Sequence, residues 1–86
     1  MRLDETSTRI SRAVRAEAAR QGVDGKTLAT KALGRDPKYV YERFRFQKPF
    51  STRDLSTIAE YLGITADDIF RSAAFDSEIH NQVRAA

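Results

Sequence analysis

The sequence predicts an all-α domain, and three observations predict it. Apolar residues recur at helical spacing, as in Ile10, Ala13, Val14 and Ala18, and again in Leu55, Ile58, Ala59 and Leu62. Capping residues and glycines punctuate these runs: Asp24, Asp36 and Ser51 stand where helices would begin, and Gly22, Gly34 and Gly63 where they would end. No stretch alternates apolar and polar residues as a half-buried strand would, and there is no internal repeat or low-complexity segment.

Taken in order, helix one is expected over about 6–21, with Gly22 as its stop and Val23 placed for the apolar contact that follows a glycine C-cap. Helix two is expected over about 25–33, capped by Asp24 and burying Leu28, Ala29 and Ala32 or Leu33. Gly34 ends it in a tight turn. Asp36-Pro37 then pairs a side-chain cap with the residue best suited to a first helical position, so helix three is expected over about 37–46, burying Val40 and Phe44 at i, i+4. Pro49 stops any continuation. Helix four opens at Ser51 or Thr52, with Asp54 available for a reciprocal cap. Helix five opens at Thr65, where Asp67 and Asp68 favour the first-turn dipole, and buries Ile69, Phe70 and Ala73. The domain is therefore expected over 1–74. In the remaining 75–86, Phe75, Ile79 and Val83 recur every four residues, which fits a short extra helix, a tail that packs back or frays, or a dimer contact.

Composition bounds what such a domain can do. A chain of 86 residues makes one small domain with a modest core. Chains of this size bury only about 60–65% of the surface their unfolded forms expose. No apolar run approaches the ~18 residues of a membrane span, and the N-terminus has no apolar signal core, so a cytoplasmic protein is the plain expectation. With no cysteine there is no disulfide framework and no thiolate metal site. His80 is the only histidine and lacks a plausible catalytic partner; Asp67-Asp68 is explained by its helix start; no glycine-rich phosphate loop exists. No catalytic residue, metal or cofactor is expected.

The net charge of +3 is mild, but it is unevenly placed. Residues 1–25 hold five Arg against four acids, a balance of +1. Residues 26–53 hold eight Lys/Arg against Asp36 and Glu42, a balance of +6. Residues 54–86 hold Arg71 and Arg84 against six acids, a balance of −4. A polyanion facing one side fits this asymmetry, as does a plain solvated basic face. A short capped helix loaded with cations and phenols, held by a preceding helix, is what a DNA major groove accepts.

Three stretches together, VRAEAARQGVDGKTLATKALG, DPKYVYERF and STRDLSTIAEYLGITADDIF, resemble the lambda-repressor-like (Cro-type, or XRE) helix-turn-helix family. Leu28-Ala29 resembles the family's pair in helix two, Gly34 its turn glycine and Val40 its buried aliphatic in helix three; 55–70 is similar to its fourth helix and the start of its fifth. The resemblance implies a compact five-helix bundle whose third helix enters the major groove. The sequence departs from that pattern in four places. Helix two carries one residue more between Ala29 and Gly34 than is common. Arg43 falls on a position usually aliphatic. Phe46-Gln47-Lys48 replaces the glycine that usually ends helix three, and Pro37 stands where a polar base contact often does.

Geometry combined with this resemblance gives the candidate contacts. Lys38 and Glu42, one turn apart at the start of helix three, are base-edge candidates: Lys can donate to guanine O6 and N7, and Glu can accept from cytosine N4. For Glu42 an intrahelical pair with Lys38 is the alternative. Tyr39 is expected at a base or thymine methyl and Tyr41 at a phosphate, with packing against helix two or the following loop as the alternative for both. Arg43, Arg45, Lys48 and Arg53 are expected to hold phosphates, and Lys26 and Thr27 to bind phosphate through side chain and free amides. The function expected is sequence-specific binding of double-stranded DNA by a transcriptional repressor or regulator, such as a phage-type immunity repressor, with a weak homodimer. The antitoxin of a toxin–antitoxin pair is an alternative from the same architecture. A small helical protein-interaction module with a basic face is an alternative from a different class.

Overall fold

The computed structural model describes residues 3–85, and side-chain positions through residue 75. Among the described residues five helical segments follow one another: α1 (Glu5–Arg20), α2, α3 (Pro37–Phe44), α4 (Thr52–Leu62) and α5 (Ala66–Ala85). Helix α2 opens as α-helix at Gly25–Thr27 and continues as a π-helix at Leu28–Leu33. There is no strand among the described residues.

The starts of α2, α3 and α4 are capped as the sequence expects, and α1 opens one residue earlier than expected, at a cap not foreseen. Asp4 caps α1 through the Ser7 amide (3.0 Å), Asp24 caps α2 through the Thr27 amide (2.8 Å), and Asp36 caps α3 through the Lys38 amide (2.9 Å). In α4 the Ser51 hydroxyl accepts from the Asp54 amide while Asp54 accepts from the Ser51 amide, a full capping box. The ends of α1 and α4 are Schellman closures: the Val23 amide reaches Ala18 O and the Ile64 amide reaches Ala59 O, both at 2.9 Å. Gly22 and Gly63 supply the left-handed conformation these need.

The end of α3 does the same without glycine. Phe46 takes φ +63°, its amide donates to Arg43 O, and the Gln47 amide donates to Glu42 O. A left-handed phenylalanine costs about 1–2 kcal/mol. The Arg12 guanidinium lies 5.5 Å over its ring, and the neighbouring Arg15 lies 5.7 Å over Phe44, so two α1 cations clasp this corner.

The extra residue in helix two has a structural form. The π-helix absorbs it within Leu28–Leu33, and the Gly34 and Arg35 amides both close onto Ala29 O. Leu28 and Ala29 still face the core, and Ala32 and Leu33 both pack against it.

The core joins Ala13, Val14 and Ala18 of α1, Leu28 and Ala29 of α2, Val40 of α3, Leu55, Ile58, Ala59 and Leu62 of α4, and Ile69 and Ala73 of α5. Phe50 completes it, with its ring edge-on to Phe44 at 6.1 Å. Phe70 departs from expectation: it is 43% exposed, because Ile69 and Ala73 at i, i+4 already form the inward stripe and Phe70 lies about 100° round from Ile69. The other departure is the end of the chain. Helix α5 runs unbroken through Ala85, so there is no separate extra helix. Phe75 is 60% exposed. The side chains of Ile79, His80 and Val83 lie outside the described residues.

Candidate nucleic-acid interface

Helices α2 and α3 are joined through Gly34, which takes φ +62°, and form a helix-turn-helix. The close approach of the two is made at Gly25. A Cβ built there would lie 2.8 Å from Tyr41 Cε1 and 3.4 Å from Phe44 Cε2, so only glycine lets the Tyr41 ring lie on the first turn of α2. Below, Val40 plugs α3 into the core and is fully enclosed. With that side inward, Lys38, Tyr41 and Arg45 stand exposed along α3, and Lys48 follows in the loop. Lys26, Lys31, Arg35 and Arg53 are exposed as well.

Two candidates from the sequence face inward instead. Tyr39 is half-buried, and its hydroxyl donates to Asp54 Oδ2 at 2.6 Å. Its phenol is pushed above the ordinary value by burial first and then by the bond to, and the charge of, Asp54; nearby Arg43 and Arg35 act in the opposite sense. Arg43 lies flat on the same ring, 3.4 Å from guanidinium carbon to centroid, with Nη1 donating to Tyr39 O at 2.9 Å. Its side chain is 11% exposed and its Nε is buried without a partner. Arg43 thus occupies the position expected to be aliphatic and covers the Tyr39 ring. In this geometry Tyr39 is engaged with Asp54, and Arg43 with the Tyr39 ring and carbonyl. The signal for this packing was the i, i+4 spacing of the two residues on the side of α3 next to Val40.

Two further expectations change in detail. Glu42 is partly covered, and its nearest cations are Arg43 and Lys48, each at 3.8 Å, rather than Lys38. The amide of Thr27 is not free: it donates to Asp24, whose carboxyl is held below its ordinary value by that bond. The sequence reading also missed Asp54 as more than a cap and Phe50 as a core residue. Phe50 precedes the Ser51 cap and Leu55 follows four positions after it, the spacing of a hydrophobic staple, and both are buried.

A cleft of about 510 Å³ opens beside this surface, lined by Arg15, Val23, Asp24, Gly25, Tyr41 and Arg45 among others. Among the described residues no group of acids, histidines and cysteines could hold a metal ion. Among those residues too, no helix is long and apolar enough to cross a membrane.

No protein-family model matches the chain, and no curated protein matches it. Solved structures do. One crystal structure of the clp gene regulator ClgR from Corynebacterium glutamicum superposes with a TM-score of 0.82 at 24% identity, covering 93% of this chain and 84% of that one. A second structure of the same regulator gives 0.74 at 27% identity, covering 83% and 91%. The chain therefore shares nearly its whole helical architecture, helix-turn-helix included, with that regulator.

Proposed function

We propose that this protein is a sequence-specific double-stranded DNA-binding regulator that lays α3 in the major groove. The observation that carries the reading is the exposed row Lys38, Tyr41 and Arg45 on a capped helix, held from behind by Val40 and α2. The +6 balance of residues 26–53 and the fold shared with a clp gene regulator support it. Lys38 and Glu42 are assigned to base edges, and Lys26, Thr27, Tyr41, Arg45, Lys48 and Arg53 to the phosphates. Thr27 acts through its side chain, since its amide is committed. The role is one of binding, not catalysis, in the cytoplasm. Occupying an operator makes it a repressor, of the kind that serves phage immunity. A weak dimer forms on DNA through the end of α5, matching half-sites one helical turn (~34 Å) apart.

The test is selection of bound duplexes from a random pool, followed by titration of the winner against random duplex. A recurring sequence with two related halves is the expected result. Binding that ignores sequence and follows only acidic charge would instead favour the protein-interaction module.

A further inference from the structure

Helix α3 has eight residues and one fully buried side chain, Val40. Phe44 and Tyr41 add apolar contacts with Phe50 and the first turn of α2, but such contacts are non-directional and leave the helix some freedom to roll about its axis. Side chains that read base edges tolerate little of that motion, roughly 0.5 Å or 10–20°. Something beside Val40 must hold the angle.

The bond that can do so is on its neighbour. Tyr39 Oη donates to Asp54 Oδ2 at 2.6 Å, and the same oxygen accepts the Ser51 amide at 3.1 Å. One carboxylate oxygen therefore closes the cap of α4 and anchors α3. Asp54 is only 8% exposed, so the bond is shielded from water. The ring cannot swing away freely, because Arg43 covers it at 3.4 Å and Arg35 lies 4.7 Å over it. Lys38, the leading base-edge candidate, is the next residue along the chain.

We infer that Tyr39 and Asp54 are positioning residues for specificity: their hydrogen bond sets the roll of α3 and so decides which base Lys38 meets. The inference rests on the DNA-binding reading. Neither residue touches DNA; both act through Lys38. This makes the first turn of α4 part of the reading apparatus.

Tyr39→Phe tests it, since the ring and its cations stay and only the hydroxyl is lost. Affinities of the full chain for the selected duplex and for random duplex are compared, with helicity checked by circular dichroism. The preference for the selected duplex should fall about tenfold, the size of one lost base contact, with random binding and helicity unchanged. Asp54→Asn keeps an oxygen for both donors and should retain the preference. An unchanged preference in Tyr39→Phe overturns the inference, and so does an equal loss on both duplexes, which would make Tyr39 a support of the fold alone. If the wild-type chain itself shows no preference, the DNA reading fails first and this inference with it. If Tyr39→Phe proves unfolded, Asp54→Asn and Asp54→Ser are compared instead: a preference kept in Asp54→Asn and lost in Asp54→Ser supports the bond, and an equal preference in both overturns the inference.

Discussion

Ser11 shows how a single polar atom can be out of place. It is 1% exposed in the middle of α1, and its hydroxyl meets no acceptor. An unsatisfied buried hydroxyl costs about 1–3 kcal/mol, and alanine is also the better helix former. Ser11→Ala should therefore raise stability by about 1 kcal/mol, seen as a later denaturant midpoint; a drop would mean that the hydroxyl has an acceptor. At the surface, Lys38→Ala should cost about 1–3 kcal/mol on the selected duplex and much less on random duplex. Arg45→Ala should weaken both alike and shallow the salt dependence by about one phosphate. Equal weakening by both substitutions would take Lys38 out of the groove. Charge and position made these exposed residues legible in the sequence. Tyr39 and Arg43 were not, since a phenol or guanidinium suits a phosphate and a half-buried stack equally well, and only the placement of Asp54 decides between them.

Among the elements, the caps were the most legible, because an N-cap joins a side chain to an amide two or three residues on. They also carry a pH dependence. Asp4, Asp24 and Asp68 are held below the ordinary carboxylate value of 3.8 by the amides of Ser7, Thr27 and Thr65. A depressed folded value means stability that is complete above the unfolded value and lost as pH falls through the folded one. Melting temperature should hold down to about pH 4 and then decline. Exchanging all three for Asn preserves the caps and should flatten that decline; an unaltered acid limb would place its origin elsewhere. Less legible were the details set at a distance. Phe70 follows the helical period by one step too many, Phe50 looks like loop until its staple spacing is seen, and α5 continues because nothing in 74–85 stops it.

At the scale of the whole molecule, charge and shape have to agree. If residues 26–53 neutralise five or six phosphates, log affinity should fall with log salt at a slope of about −5. A flat response across salt concentrations would remove DNA as the main partner. The proposed dimer would form on α5, where Phe75 is exposed and Phe70 is exposed about one and a half turns before it. Sedimentation of the full chain on its duplex, against a version ending at Ala74, should show cooperative association only in the former. Equal association in both would move the interface off the end of α5.

The π-helical stretch has a bearing on how this chain can vary. Deleting one residue from an α-helix turns everything beyond it by about 100°, which in α1 would carry Ala18 out of the core. Within Leu28–Leu33 the same deletion only tightens the winding to the ordinary form, because the segment already holds one residue in surplus. Removal of the exposed Thr30 should thus leave a folded, cooperatively melting domain, whereas removal of Ala16 from α1 should not. The segment is a length buffer just upstream of α3. Any comparison with a relative of ordinary length has to open its gap there, or every assigned contact from Lys38 to Arg53 slips by one residue and the wrong side chains are credited with the reading.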